Sequence, residues 1–394
     1  MPSPGKQALL AILVVLVGLA VLVGSGSGFA TGPGPRIVIT GPRQTVFDWS
    51  EQACAPTQAA DLPARAFRDD RGRVQLLLSH FDNFRMIGPS LGRLHVDCKP
   101  VMVSDERAEP SLYRDREWIA SLYTKDGRTI WALVHDEYQG NQHPEQCPQG
   151  TYYRCWYNAI TLAKSSDAGR SYRQVGGPVA AAPYRYRPGI GPAGIFAPSN
   201  LVASSGGHLN ALVRVRDPDR RHGICLIRSR RIGPGSSWRG WDGIGFTGVF
   251  VNPYRQAPRP RTDCEILEPG KIAEMSESLT FSTELERYLL VGMAPPPAEA
   301  TGSARQTGIY YSTSKDLIHW SGRQLLLRAP TVGSYRCGGP SPIAYPSLVD
   351  PSSHSRTFAT TGGRPYLYFT QFRYRSCERT PNRDLLRVPV AISG

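Results

Sequence analysis

Of the 394 residues, 74 are glycine or proline (40 Gly, 34 Pro), a content that suits many short strands joined by turns and leaves little room for long helices. The formal net charge is +14, but the basic residues are scattered and nearly all arginine. That is a poor signature for nucleic acid; it fits anionic glycans, an acidic envelope or lipid head groups, or a basic surface with no specific partner. Nucleophile elbows of the G-x-S-x-G type, H-E-x-x-H, P-loops and EF-hand loops are all missing.

Lys6 precedes an unbroken apolar run from Ala8 to Val23, followed by a Gly/Ser stretch ending in Gly28-Phe29-Ala30. Small residues at 28 and 30 suit a signal peptidase, and 16 apolar residues approach the roughly 17 that span a bilayer. Residues 1–30 are therefore expected to be a signal peptide or an N-terminal membrane anchor. Either leaves the rest secreted, periplasmic or anchored facing outside the cytoplasm, with the membrane touched only through this segment. A Gly/Pro-rich tether over 31–44 and a single domain over 45–394 are expected to follow, since no low-complexity linker divides the remainder.

All eight cysteines lie after that segment, and an even count in an exported chain reads as disulfides. Of about 105 possible pairings, the sequential one is favoured if each bridge stays within one repeat: Cys54 with Cys98, Cys147 with Cys155, Cys225 with Cys264, Cys337 with Cys377. The lack of a C-x2-C spacing disfavours zinc.

Five segments share a pattern of a small and apolar strand, a turn, and a second strand ending in an aliphatic or aromatic run. They are Leu62 to Ser79, Trp118 to His135, Phe196 to Val215, Glu277 to Gly292, and Tyr345 to Phe372. Each is expected to form the two inner strands of a propeller blade. Between them stand two distinctive turns. Ser165-x-Asp167-x-Gly169-x-x-Tyr172 has the spacing of an aspartate box, in which Ser and Asp side chains take up backbone N–H groups, Gly supplies a positive φ, and the aromatic plugs the space between sheets. Ser314-x-Asp316-Leu317-x-x-Trp320 is a second turn of that kind. Arg228-Ser229 leading to Trp238 is a looser copy without the Asp. Asp69-Asp70-Arg71-Gly72 reads as a plain hairpin turn.

On these turns and repeats the chain resembles the five-bladed β-propeller glycosidases of the arabinanase, xylosidase and invertase type, and secondarily the sialidase-like propellers. The resemblance implies an all-β, five-bladed propeller with catalytic carboxylates at the starts of inner strands, around a funnel on the axis. Asp61 and Glu277 are carboxylates in such places, Glu137 closes the second repeat as a candidate general acid, and glycoside hydrolysis needs two carboxylates, one with a raised pKa. Arg65, on the same strand face as Asp61, could bind a carboxylate or pair with Asp61. His135-Asp136-Glu137-Tyr138 is the densest chemical cluster, with His135 and Glu137 on one strand face and Asp136 and Tyr138 on the other. Asn200 and Asp350 complete the candidate substrate contacts.

One departure stands out: the third repeat, Phe196-Ala-Pro-Ser-Asn200, has no carboxylate where arabinanase-type enzymes carry their acid. The expected function is an exported glycoside hydrolase acting on a carbohydrate that can be anionic, with no nucleic-acid partner. The alternative is a non-catalytic glycan-binding or envelope scaffold propeller. No cofactor is required; a calcium ion at the axis is compatible with the fold, although no ligand set demands it.

Overall fold

The computed structural model describes residues 34–148, 150–218, 221–234, 237–257, 264–301 and 305–394. The expected signal or anchor segment lies outside the described residues. The chain from Pro35 to Gly394 is one compact unit of five antiparallel blades. The first is built from Arg65–Arg68, Val74–Leu78, Asp82–Gly88 and His95–Val103. Arg116–Tyr123, Ile130–Gln139 and Trp156–Ser165 make the second, edged by the two-residue strands Arg173–Gln174 and Ala180–Ala181.

In the third blade the innermost strand is broken in two, Ala193–Phe196 and Val202–Ala203, both paired with Leu209–Arg216; His222–Ser229, Arg239–Gly240 and Gly248–Val249 lie outside it. Parallel pairing of Ala193 and Gly194 with Tyr157 and Asn158 joins the second and third blades into one sheet. The fourth blade is Ser278–Ser282, Arg287–Ala294, Gly308–Ser314 and Gln324–Arg328. The fifth is Ile343–Val349, Tyr366–Arg375 and Glu378–Ser393.

Each repeat read from the sequence supplies the two inner strands of one blade, because each pairs a strand with alternating core residues to its hairpin partner. The apolar faces then meet between blades rather than in one central core. Phe67 and Leu77 of the first blade pack on Ile119 and Val134 of the second. Leu133 and Leu162 pack on Val213 and Ile227 of the third. Leu212 and Leu226 meet Leu279 and Leu290 of the fourth. Leu289 and Val291 meet Leu367 and Phe369 of the fifth, and Tyr368 and Leu385 return to Leu76 and Leu78 of the first.

The stretch expected to be a tether differs. Arg36–Ile39 and Gln44–Phe47 are strands, paired antiparallel with the long strand Glu378–Ser393. Ile37 and Phe47 are buried there. Burial of these apolar residues and satisfaction of an open strand edge outweigh the flanking Gly/Pro content. The N-terminal strands thus close the ring on the last blade.

Both expected turns are held by their own side chains. Ser165 Oγ accepts from Gly169 N at 2.9 Å, Asp167 Oδ1 accepts from Arg170 N and Ser171 N, and Tyr172 is buried between the first two blades. In the second, Ser314 Oγ accepts from Leu317 N, Asp316 Oδ1 accepts from Ile318 N and His319 N, and Trp320 is buried between the third and fourth blades. The four sequential cysteine pairs are bonded as disulfides.

Candidate active site

Asp61, Glu137 and Glu277 line one cavity of about 110 Å³, together with the rings of Trp118, Trp156, Phe196 and Tyr345 and with His135 and Arg214. Asp61 stands just before the first blade's inner strand, Glu137 near the end of Ile130–Gln139, and Glu277 just before Ser278–Ser282. Three different blades therefore aim a carboxylate at the same space.

The three carboxylates have different surroundings. Asp61 Oδ1 lies 2.8 Å from Arg383 Nη1, an ion pair off hydrogen-bond alignment, and Oδ2 lies 3.5 Å from His80 Nε2. Burial depresses the His80 pKa to about 4, outweighing the pull of Asp61, so the imidazole is neutral near pH 7. Glu137 is held by three groups: His135 Nε2 at 3.1 Å, Gln139 Nε2 donating at 2.8 Å, and the Tyr152 hydroxyl donating at 3.2 Å. His135 itself stacks on Phe196. Glu277 differs again. Its Oε2 accepts from Ser276 N at 3.0 Å, and burial raises its pKa against the opposing pull of that bond and of Arg214. Gly292, in the strand paired with Ser278–Ser282, leaves room for this carboxyl; a Cβ there would land on Glu277 Oε2.

Glu277, Arg214 and Met293 also line a second, open trough of about 600 Å³ bounded by Glu274, Ala294, Thr331 and Ser334. Glu277 stands where the pocket meets the wider trough, whereas Asp61 and Glu137 line only the pocket.

The remaining candidates are placed elsewhere. Arg65 does not reach Asp61. It is buried, and its guanidinium donates to Ala120 O at 2.7 Å, Glu277 O at 2.6 Å and Ser347 Oγ at 3.2 Å, joining the first blade to the second, fourth and fifth. Asn200 Oδ1 accepts from Leu279 N at 2.9 Å and joins the third blade to the fourth. Asp136 points away from the pocket, as strand alternation requires, accepting from Asp115 N beneath Glu117. Tyr138 shares that face, donates to Ala108 O and packs edge-on against Tyr186. Asp350 caps its own turn, taking Ser352 N and Gly362 N. Sequence reading missed Arg383, His80, Tyr152, Arg214 and the aromatic walls. Arg383 sits in the last strand, more than 300 residues from its partner Asp61, and only ring closure brings the two together. Among the described residues, no three His, Cys, Asp or Glu side chains are grouped to hold a metal ion.

No protein-family model matches the chain, and no curated protein matches it by sequence. Solved structures with a similar chain trace include the catalytic domain of a GH62 α-L-arabinofuranosidase from Coprinopsis cinerea, at 10% identity and a TM-score of 0.45, covering 90% of this chain and 96% of that one. A GH43_1 enzyme from Xanthomonas citri is 15% identical with a TM-score of 0.46, covering 86% and 91%. An α-L-arabinofuranosidase from Podospora anserina, in complex with cellotriose, is 8% identical with a TM-score of 0.44, covering 88% and 95%. These include arabinofuranosidases, of the kind that the sequence was expected to resemble. At such identities the likeness concerns the path of the chain and not the side chains of the cavity.

Proposed function

We propose that this chain is an exported glycoside hydrolase that cleaves a glycosidic bond between a sugar in the pocket and a leaving group in the trough. The observation that carries this reading is the convergence of Asp61, Glu137 and Glu277, from three blades, on one aromatic-walled cavity. Aromatic rings suit the apolar faces of sugars, and carboxylates in unequal environments suit an acid and base pair.

Glu277 is the proton donor. Burial keeps its carboxyl neutral to higher pH than an ordinary glutamate, and it faces both cavities, where the leaving oxygen would stand. Asp61, in the pocket and paired with Arg383, takes the proton of the attacking water. The C–O bond breaks as the anomeric carbon gains the water oxygen, and Glu277 supplies the proton that the leaving oxygen gains. Glu137, held by His135, Gln139 and Tyr152, is a positioning carboxylate that stabilises developing positive charge at the sugar. The third blade's missing acid fits this assignment, because Glu277 of the fourth blade carries that role.

Export is supported by the apolar N-terminal run and by four disulfides, which persist in oxidising compartments. The test is hydrolysis of a panel of furanosyl and pyranosyl oligosaccharides by residues 31–394 beside Asp61→Asn, Glu137→Gln and Glu277→Gln. Loss of general acid catalysis costs about 10²- to 10⁴-fold, and the high-pH limb of the profile is expected to disappear in Glu277→Gln. Full activity in both folded Asp61→Asn and Glu277→Gln, or glycan binding without turnover on any substrate, would replace the hydrolase with a glycan-binding propeller.

A further inference from the structure

A second concavity lies far from this pocket, at the opposite ends of the same strands. Trp131 and Glu137 share the strand Ile130–Gln139 and are six residues apart, which is about 20 Å of extended chain. Leu209 and Arg214 are five apart in the third blade. Around Trp131 and Leu209 two cavities, of about 360 and about 450 Å³, share Arg230 and Arg231 and so form one groove across the second and third blades.

The two halves of the groove differ in chemistry. One is lined by His208, Arg228, Arg230, Arg231 and Arg239, with no carboxylate among its described lining residues. Arg228 lies over the Phe246 ring at 3.5 Å, which fixes its guanidinium plane. Desolvation, and then the charges of Arg228 and Arg230, oppose protonation of His208. The other half presents the half-buried rings of Trp131 and Tyr123, with Lys125 exposed beside them. Its one carboxylate among the described lining residues, Asp126, is engaged by Arg128 N and Thr129 N in its own turn.

We propose that this groove is a binding site for an acidic polysaccharide, with its carboxylate or phosphate groups on the arginines and its sugar faces on Trp131 and Tyr123. Guanidinium groups match planar and tetrahedral oxyanions, and the adjoining indole and phenol select a saccharide over a simple anion. A lipid surface would demand a continuous exposed apolar rim; beside Phe246 only Ile244 is such a side chain among the described residues, and the rings themselves are half-buried. The site is separate from the catalytic cavity, so it would tether the protein to an envelope polymer and raise the local concentration of the pocket near its substrate.

The experiment is affinity electrophoresis and calorimetry of residues 31–394 with polygalacturonate, with neutral arabinan and phosphatidylglycerol vesicles in parallel. Expected is retention by polygalacturonate that weakens about tenfold in Arg230→Glu and in Lys125→Glu, and that fades near 0.5 M salt, where the Debye length is about 4 Å. Both side chains are exposed, so the variants are expected to fold. Hydrolysis of short substrates should stay unchanged in both, which separates this site from the pocket. Absence of polygalacturonate retention, retention indifferent to both substitutions, or retention by vesicles alone would overturn the proposal. The readout is binding, so it holds or fails whether or not the pocket hydrolyses its sugar.

Discussion

A single missing Cβ decides how Glu277 can sit. Gly292 has no positive φ to demand glycine; what it provides is space, because a methyl there would collide with Glu277 Oε2 and with Met275. The strand pairing that fixes Gly292 opposite this turn is satisfied by any residue, so an alanine is expected to fold and to displace the carboxyl instead. A misplacement of about 1 Å in a catalytic group costs roughly 10²-fold. Gly292→Ala should therefore lower kcat by about that factor, with a fall in the thermal unfolding midpoint as well, because the Met275 backbone must also shift. Retained kcat in a folded Gly292→Ala would show that the proton donor is another residue.

The inner strands hold one another through polar groups, not through a shared apolar axis. Arg65 bridges three other blades, Ser347 Oγ donates to Ala64 O, Ser278 Oγ accepts from Leu348 N, and Ser79 Oγ donates to Ile119 O. Replacing Arg65 by methionine keeps volume and leaves Ala120 O and Glu277 O without their donor. Leaving buried carbonyl acceptors unpaired costs about 1 to 3 kcal/mol each. Urea unfolding of Arg65→Met should report a loss of that order, and a midpoint equal to wild type would refute the stitching role. The case also shows what a sequence can disclose. The five repeats, both turns and the three pocket carboxylates were legible because hairpins, turn chemistry and strand starts are local. Arg65 and Asn200 were read as substrate contacts, but their partners lie across blades, and Asp350 is taken up by its own turn, so a structural role and a substrate role look alike in sequence. The strands at Arg36–Ile39 and Gln44–Phe47 were missed for a related reason: their partner is at the far end of the chain.

At the scale of the molecule, the second blade carries a burden that makes stability depend on pH. Asp115, Glu117 and Asp136 are all buried within a few residues of contact, and Glu117 Oε1 has no hydrogen-bond partner. Burial, reinforced by Asp105, raises the Glu117 pKa from 4.5 to about 7; burial also raises Asp115 and Asp136, the latter with help from Glu117. A carboxyl with a folded-state pKa above its unfolded value binds its proton more tightly in the native state. Its stabilising contribution is complete below the unfolded pKa and is lost as pH rises through the folded one. For Glu117 that window runs from pH 4.5 to about 7. The loss is on the order of a few kcal/mol, since each pKa unit is worth about 1.4 kcal/mol. Wild-type protein should therefore melt at a lower temperature at pH 7.5 than at pH 5, and Glu117→Gln, neutral at every pH, should show a smaller decline across that range. A melting temperature that instead rises from pH 5 to 7.5, or an equal decline in both proteins, would show that these carboxyls share no such burden.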